Sequence, residues 1–142
     1  MKLTNILLPL MIGILSCQAQ TKTAPHPILE TIKTGNLTKV KQFLEDKEDI
    51  NATYAGYTLL CAAVKTNQKE ITSYLLENEA NVNKMSNKKT PLMYAAKYGR
   101  LEIAKILIQK GADKKTVSSK GRTALDYAHR YEKPNLIVLL SE

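Results

Sequence analysis

The side chains that could act as nucleophiles, bases or metal ligands are few in this chain and stand far apart. The two cysteines are Cys17 and Cys61, and the two histidines are His26 and His129. Cys61 and His129 could serve as a nucleophile and its base only within hydrogen-bond reach of each other, but they fall in separate units of the repeat described below. No H-x-x-x-H, C-x-x-C or glycine-rich phosphate loop occurs. The sequence therefore predicts no catalytic site, no metal site and no cofactor, so we expect that the protein is not an enzyme.

Two isolated features have competing interpretations. Cys61 lies in a strongly apolar segment, which favours a small buried core residue over a reactive or metal-binding thiol. A short acidic cluster at a predicted helix end favours a solvated face over weak cation binding. That cluster consists of Asp46, Glu48 and Asp49.

Basic residues, in contrast, recur at a regular interval. Four cations follow one another at spacings of 32, 32 and 33, and each has a threonine or a tyrosine after it. Lysine and arginine make up 21 of the 142 residues, so ordinary surface lysine is one explanation, but four cations in register favour one positive ladder. The four pairs are Lys33-Thr34, Lys65-Thr66, Lys97-Tyr98 and Arg130-Tyr131.

The same interval appears in a longer repeated segment. It occurs as GYTLLCAAV at residues 56–64, as KKTPLMYAA at 88–96 and as GRTALDYAH at 121–129. The threonines of the three copies are 32 and 33 residues apart. A period of this size is typical of a stacked helical array rather than of a single globular core.

The third unit shows why this repeat should form two helices. Thr90 can cap a helix N-terminus through its hydroxyl, and Pro91 then occupies the first helical position, where its missing N–H costs nothing. Gly99 can end this helix in a left-handed conformation. Residues 101–108 are mostly apolar and predict a second helix, which Gly111 ends in the same way. Neither helix can bury its apolar face alone, so the pairs must stack on their neighbours.

The sequence motif T-P-L-x-x-A-A is followed by a turn, an apolar helix and Gly111-Ala112-Asp113. This order resembles the ankyrin repeat, and the resemblance covers roughly residues 27–142. The resemblance implies an all-α helical solenoid of four helix-turn-helix units. Two of these units are caps and two are internal repeats, and short hairpin-like connections, called fingers below, join them. The resemblance also implies a protein that binds partner proteins and very seldom catalyses a reaction.

Some positions depart from the family pattern. Asn67 and Glu79 stand where the family has glycine. Asparagine tolerates the left-handed conformation, whereas Glu79 implies local strain or a different turn. The fingers before Thr58 and Thr90 are one residue shorter than the finger before Thr123, which predicts tighter turns in the first two.

The resemblance places the cation ladder in a concave groove, because the residues just after the alanine pair face that groove in such arrays. The finger tips add further cations and tyrosines, and Tyr and Arg are enriched at binding hot spots. The predicted partner-binding residues are Lys33, Thr34, Lys65, Thr66, Lys97, Tyr98, Arg130, Tyr131, Tyr54, Tyr57, Lys89 and Arg122.

The charge balance favours an anionic partner. The formal net charge is +8 at pH 7, and a positive groove raises the local concentration and association rate of anionic partners. The predicted partner is an acidic protein. Lipid head groups beside a membrane anchor are a second anionic surface that the groove could bind. No nucleic-acid partner is expected, since no recognised nucleic-acid fold is present. We expect the chain to be a monomer.

The N-terminal residues lie outside the repeat. Residues 1–17 have a positive start and a short apolar run, as a secretory signal peptide has, and they end in Ile14-Leu15-Ser16-Cys17, which looks like a bacterial lipobox. In that family of signals the cysteine is lipidated, so Cys17 is the predicted lipidation site. The alternative is ordinary cleavage after Ala19. Residues 18–26 are polar and predict a flexible tether before the repeat domain at 27–142.

Together these features predict a bacterial outer-membrane lipoprotein that faces the periplasm and acts as a protein–protein interaction module. The alternatives for its location are a soluble periplasmic or secreted form, or an uncleaved or cytosolic chain. The alternative for its function keeps the fold: a periplasmic accessory or immunity factor that inhibits or protects a specific enzyme. An inhibitor would change the rate of that enzyme, whereas a scaffold would change only its location.

Overall fold

The computed structural model describes residues 26–142. The predicted signal peptide at 1–17, the lipidation site Cys17, the alternative cleavage after Ala19 and most of the tether at 18–26 lie outside the described residues. Within residues 26–142, no helix combines the length and the apolar character that crossing a bilayer requires.

The described chain contains eight short helices and one two-stranded sheet. The two strands, β1 (Thr53–Tyr54) and β2 (Tyr57–Thr58), form an antiparallel finger between the second and third helices. The helices are α1 (Pro27–Lys33), α2 (Leu37–Glu45), α3 (Leu59–Lys65), α4 (Lys69–Glu77), α5 (Pro91–Tyr98), α6 (Leu101–Gln109), α7 (Ala124–Arg130) and α8 (Pro134–Ser141).

The helices are arranged in two layers. In the inner layer α1 contacts α3, α3 contacts α5 and α5 contacts α7, while α2, α4, α6 and α8 follow one another in the outer layer. Each inner helix also packs on the outer helix that follows it in the chain. This arrangement confirms the predicted all-α solenoid of four helix-turn-helix units.

The inner helices can approach one another closely because alanine lines their contacts. Ala63, Ala95, Ala96 and Ala128 are all completely buried. Larger apolar residues fill the space between the two layers, and full burial of each such side chain contributes about 1.5–3 kcal/mol. Those that are less than 2% exposed include Ile32, Leu59, Ile71, Leu75, Leu92, Ile103, Leu107 and Leu136.

A threonine begins the inner helix of each of the last three units. Thr58, Thr90 and Thr123 each accept a hydrogen bond through Oγ1 from the backbone N–H three residues later, at 3.2, 3.3 and 3.2 Å. Such a cap meets one of the N–H groups that a helix start leaves without a partner. The cap predicted at Thr90 is therefore confirmed. Asp126 completes a capping box by accepting from Thr123, which lowers the pKa of its carboxyl.

Left-handed residues make the turns between helices. The turn from inner to outer helix uses Gly35, Asn67, Gly99 and Glu132, with φ of 74°, 63°, 72° and 51°. Glu79 follows α4 with a φ of 68°. The sequence left two possibilities for Glu79, local strain or a different turn. The structure shows the strained left-handed conformation.

The first two fingers are tighter than the third, as their lengths predict. Residues 55–56 and 87–88 form two-residue loops in which both residues have positive φ. This pattern belongs to the type I′ turn, whose twist suits a two-residue hairpin. The third finger has three residues, 119–121, between Ser118 and Arg122, and the backbone N–H of Ser118 donates to Arg122 O at 2.8 Å.

Asparagines tie the bases of the first two fingers to the next unit. Asn51 Oδ1 accepts from the backbone N–H of Asn81 at 2.7 Å, and Asn83 Oδ1 accepts from that of Asp113 at 2.9 Å. Asn51 and Asn83 are the equivalent residues of two successive units. These contacts join neighbouring units through exposed hydrogen bonds.

Candidate functional site

The four cations of the ladder occupy equivalent places in the four units. Lys33, Lys65 and Arg130 are the last residues of α1, α3 and α7, and Lys97 is the second-last residue of α5. Because the inner helices lie side by side, the cations stand at the same end of the layer, one per unit. A cation in the last turn also interacts favourably with the helix dipole, worth about 0.3–1 kcal/mol. The ladder position therefore suits helix stability as well as binding, and the surroundings of each cation distinguish the two roles.

Side chains from the following unit hold the ends of two inner helices in place. Gln68 Nε2 donates to the backbone carbonyl of Lys33 at 2.9 Å, and Arg100 Nη2 donates to that of Lys65 at 3.1 Å. Gln68 and Arg100 precede the outer helices α4 and α6 directly. The backbone of the ladder is thus positioned by contacts between units.

Lys33 is the cation with its own counter-charge. Its Nζ lies 3.3 Å from Oε1 of Glu30, and both side chains are exposed. The hydroxyl of Thr34 donates to the carbonyl of Thr31 at 3.0 Å, within the same unit. In the first unit, the positive charge of Lys33 is therefore balanced by the carboxylate of Glu30.

Lys65 lies against a finger tyrosine instead of a carboxylate. Its Nζ donates to the hydroxyl of Tyr57 at 3.0 Å and lies 4.5 Å from the centre of that ring. This hydrogen bond lowers the pKa of Tyr57, against the opposing effect of burial. Thr66 donates to the carbonyl of Ala62 at 2.7 Å, so its hydroxyl proton is already used.

Lys97 lies between two tyrosine rings that belong to different units. Its Nζ is 5.1 Å from the ring centre of Tyr98 and 5.4 Å from that of Tyr131. An ammonium group at this distance from a ring face is attracted by the ring quadrupole. Burial alone would lower the pKa of Lys97, but the phenol groups of Tyr98 and Tyr131 outweigh it and the pKa is raised. Lys97 thus remains cationic at neutral pH.

Tyr94 and Tyr127 join these contacts into one continuous row. The Tyr94 ring lies 5.9 Å from Tyr57 and 6.4 Å from Tyr98, and the Tyr127 ring lies 6.4 Å from Tyr131. The row crosses the second, third and fourth units, and we call it the tyrosine track. It consists of Tyr57, Tyr94, Tyr98, Tyr127 and Tyr131 with Lys65 and Lys97.

Sequence reasoning missed Tyr94 and Tyr127 as parts of this surface. Both are only 3% exposed, and their hydroxyls donate into the finger bases, to Ser86 O at 3.1 Å and to Ser118 Oγ at 3.3 Å. Burial raises the pKa of Tyr94 well above its usual range. Their signal is the i, i+4 spacing to Tyr98 and Tyr131, which places each pair on one helix face.

The predicted finger residues divide between two places. Lys89 lies beside the track, with its Nζ 5.8 Å from the Tyr94 ring. Arg122, in the third finger, is half-buried, and Arg130, the last cation of the ladder, is exposed. Neither arginine forms an ion pair with another residue of 26–142. Tyr54, in contrast, does not reach the track.

Tyr54 belongs to an aromatic cluster at the other end of the array. Its ring centre lies 4.6 Å from that of His26 and 5.7 Å from that of Phe43, and its hydroxyl donates to Glu48 at 3.1 Å. The backbones of Tyr54 and Tyr57 pair directly in the finger, yet their side chains contact different units.

The described residues contain little that could support catalysis. Cys61 is fully buried, its Sγ lies 3.8 Å from the carbonyl of Lys84, and burial raises the pKa of its thiol. These facts favour the core interpretation of Cys61. His129 is exposed, so it does not share an environment with Cys61. Among residues 26–142, no group of three His, Cys, Asp or Glu side chains is placed to hold a metal ion.

Comparison with known proteins agrees with this architecture. A family model described as ankyrin repeats (3 copies) matches the chain twice, over residues 28–118 and 86–142. The two matches overlap in the third unit, and together they span all four. A search of the curated proteins found no match to this sequence.

Proposed function

Because the chain belongs to the ankyrin repeat family, whose repeats are generic protein–protein interaction modules, we propose that its cation-lined groove binds an acidic protein partner. The observation that carries this proposal is the tyrosine track. It places Lys65 and Lys97 beside tyrosine rings of three units, of which Tyr57, Tyr98 and Tyr131 are at least partly exposed.

The chemistry of the track suits a protein partner with carboxylates. Tyrosine supplies a large contact area with few rotatable bonds, which is why it is enriched at interface hot spots. The cations add attraction for anionic groups, and the formal net charge of +8 raises the rate of encounter with an acidic partner. Nucleic acid is the common partner of a strongly basic chain, but the export proposed next separates the protein from it.

The proposed location is the outer membrane, with the repeat domain facing the periplasm. Its support is the lipobox-like segment Ile14-Leu15-Ser16-Cys17 after a short apolar run. Two acyl chains are enough to attach a protein stably to a membrane, so a Cys17 that carries them would anchor this chain. The polar residues 18–26 would then hold the array near the membrane surface. Cleavage after Ala19 would instead produce a soluble periplasmic or secreted form.

Membrane fractionation of a Cys17→Ser variant tests the anchor. We expect the wild-type protein to sediment with membranes and the variant to move to the soluble fraction, because the variant cannot be acylated. A Cys61→Ser variant is the matched control, since it removes the other thiol and should stay with the membranes. If Cys17→Ser still sediments after a salt wash, the lipoprotein proposal is wrong.

Capture of the partner from an envelope extract tests the groove. We expect wild-type protein to retain an acidic protein that a variant with Lys33, Lys65, Lys97 and Arg130 all changed to Gln does not retain. The matched control removes the same charge from four exposed cations elsewhere, by changing Lys39, Lys69, Lys110 and Lys115 to Gln. Equal retention by both variants would place the binding surface outside the groove.

The retained protein also decides between a scaffold and an immunity or inhibitor factor. If it is an enzyme, its rate should be measured with and without the repeat protein. A change in rate that the groove variant abolishes supports the inhibitor function. An unchanged rate with retained binding supports the scaffold.

A further inference from the structure

Two fingers have a face that points away from the helices. Burial alternates residue by residue over 81–87 in the second finger and over 113–119 in the third. Ser86 and Ser118 are buried, and their Oγ atoms accept from the backbone N–H of Thr58 at 2.8 Å and from the hydroxyl of Tyr127 at 3.3 Å. Successive side chains of an extended chain face opposite sides. The residues at 85 and 117, directly before the two serines, therefore face outward.

The outward residues of these two fingers are apolar. They are Met85 and Val117, at 41% and 49% exposure, which occupy equivalent places in successive units. In the first finger the equivalent residue is Thr53. Met85 and Val117 are two of the four large apolar side chains that residues 26–142 leave exposed. A single exposed apolar side chain is ordinary, so the meaning of this pair depends on what surrounds it.

The surroundings of the pair are strongly basic. The second finger, residues 81–90, has no acidic residue, and the third, residues 113–123, has only Asp113. The carboxylate of Asp113 already accepts from the backbone N–H of Lys115 and the hydroxyl of Thr116, both at 2.8 Å. The first finger, residues 49–58, contains no lysine or arginine. The cations of the second and third fingers are Lys84, Lys88, Lys89, Lys114, Lys115, Lys120 and Arg122.

Three of these cations are exposed and available to a partner. Lys84 is half-buried and donates to the carbonyl of Asn51 at 2.6 Å, and Lys89 lies beside the tyrosine track. Lys88, Lys115 and Lys120 are exposed, and neither ion pair of residues 26–142 includes them. A surface with both exposed cations and exposed apolar side chains suits an anionic bilayer, because binding there increases with buried apolar area and with attraction to anionic lipids.

The N-terminal end of the array lies at the same edge as the fingers. His26 directly precedes α1, and its ring centre lies 4.6 Å from that of Tyr54 in the first finger. The inner helices α3, α5 and α7 each begin directly after a finger. A flexible coil as long as the proposed tether, residues 18–26, spans roughly 15–18 Å. An anchor at Cys17 would therefore hold the finger edge close to the membrane.

We infer that the second and third fingers dock on the anionic phospholipid surface of the membrane that carries the anchor. This inference rests on the proposed location, because the anchor brings the finger edge to the lipid. Glu48 and Asp49, at the base of the first finger, are exposed acids that the surface would repel, so the contact centres on the other two fingers. The ladder lies at the opposite ends of the inner helices, which leaves the groove open to a protein partner.

Fluorescence quenching tests this docking on the acylated protein in vesicles. A small fluorophore on Ser119→Cys reports on the third finger, and the same fluorophore on Lys105→Cys reports on the outer helix α6. Both variants also carry Cys61→Ser, so that only one thiol is labelled. The vesicles contain a phospholipid with a nitroxide on its head group, which quenches fluorescence only at short range.

The composition of the vesicles tests the role of lipid charge. With phosphatidylethanolamine and phosphatidylglycerol, we expect the finger label to be quenched at least about threefold more than the helix label. With phosphatidylcholine, which has no net charge, this difference should disappear. High salt should reduce it in the anionic vesicles, because salt screens the attraction between exposed charges.

A matched pair of triple variants tests the finger cations. Each variant removes three exposed lysines, one set from the fingers and the other from the outer helices. The finger set should lose most of the quenching of the Ser119→Cys label, since each cation at an anionic surface strengthens binding about fivefold. The outer set should leave the quenching unchanged, and urea unfolding checks that both variants fold. The finger set changes Lys88, Lys115 and Lys120 to Gln, and the outer set changes Lys39, Lys69 and Lys105 to Gln.

A third pair of variants tests the apolar residues. Met85→Gln combined with Val117→Thr keeps side chains of similar size but makes both polar. This double variant should lower the quenching of the finger label by roughly half. Val138→Thr is the control, because Val138 is 63% exposed but belongs to the outer helix α8, and it should have no effect.

The outcomes separate finger docking from the other proposals. Equal quenching of the two labels, equal quenching in neutral and anionic vesicles, or equal losses in the two triple variants would overturn it. Shielding of the finger label by the retained acidic protein without vesicles would also overturn it and assign the fingers to the protein interface. The finger variant should still retain the acidic partner, because its groove cations are intact. If wild-type protein does not sediment with membranes, the proposed location fails and finger docking fails with it.

Discussion

Glu79 shows how one residue can depart from the repeat pattern without changing the fold. It is one of seven residues other than glycine that have positive φ in the described chain. A left-handed conformation costs an L-residue with a side chain roughly 1–2 kcal/mol, whereas glycine adopts it freely but loses more backbone entropy on folding. Its counterpart one unit later is Gly111, with a φ of 88°. Glu79 is therefore a site where the native residue is not the most stable one.

We expect Glu79→Gly to raise the free energy of unfolding by about 0.5–1 kcal/mol, because the relief of strain exceeds the added chain entropy. Urea unfolding measures this change. Glu79→Ala is the matched control, since it removes the same carboxylate but keeps Cβ and hence the strain. Equal gains from Gly and Ala would show that the charge, and not the backbone, limits stability here.

At the scale of single residues, the sequence predicted backbone roles better than side-chain partners. The cap at Thr90 and the left-handed turn at Gly99 follow from local chemistry that any helix obeys. The i, i+3 spacing of Glu30 and Lys33 allows their ion pair, but its formation depends on the rotamers of the two side chains. The cluster of Tyr54 with His26 joins residues distant in the chain, and such a contact has no periodic signal in a single sequence.

At the scale of helices, the repeat period determined which surfaces meet. Ala95 lies in α5, which packs against both α3 and α7. It is completely buried, so there is no space for a larger side chain at that point. The outer helix α6 has an exposed face that includes Lys105.

Ala95→Leu should lower the free energy of unfolding by about 1–3 kcal/mol, because added volume in a close-packed contact forces strain. Lys105→Ala should change it by less than about 0.5 kcal/mol, since its ion pair with Glu102 is exposed. Both values come from urea unfolding followed by circular dichroism. Similar losses in the two variants would mean that α5 is not the tightly packed inner helix.

The tyrosine track marks the limit of prediction at this scale. The sequence predicted the ladder because the cations recur once per unit. The track rings recur less regularly. The second unit supplies Tyr57 from its finger, the third supplies a pair from α5, and the fourth supplies Tyr127 from α7 and Tyr131 directly after that helix. Joining Tyr57 to Tyr94 required the actual position of the finger against α5.

At the scale of the whole molecule, stacked units make a surface that none of them has alone. Lys97 contacts rings of two units, and Asn83 ties one finger base to the next. Because repeat arrays gain stability from such nearest-neighbour contacts, the same contacts that hold the array together also align its cations. The fold followed from the sequence pattern, whereas the identity of the partner depends on a second molecule.

Calorimetric titration of the retained partner at low and high salt measures whether the groove cations bind it. Exposed charge attraction is screened over about 8–10 Å at physiological salt, so wild-type affinity should fall as salt rises. The quadruple groove variant should bind weakly and with little salt dependence, while the matched outer variant should behave as wild type does. Unchanged affinity and salt dependence in the groove variant would contradict the account and assign the ladder to helix stability alone.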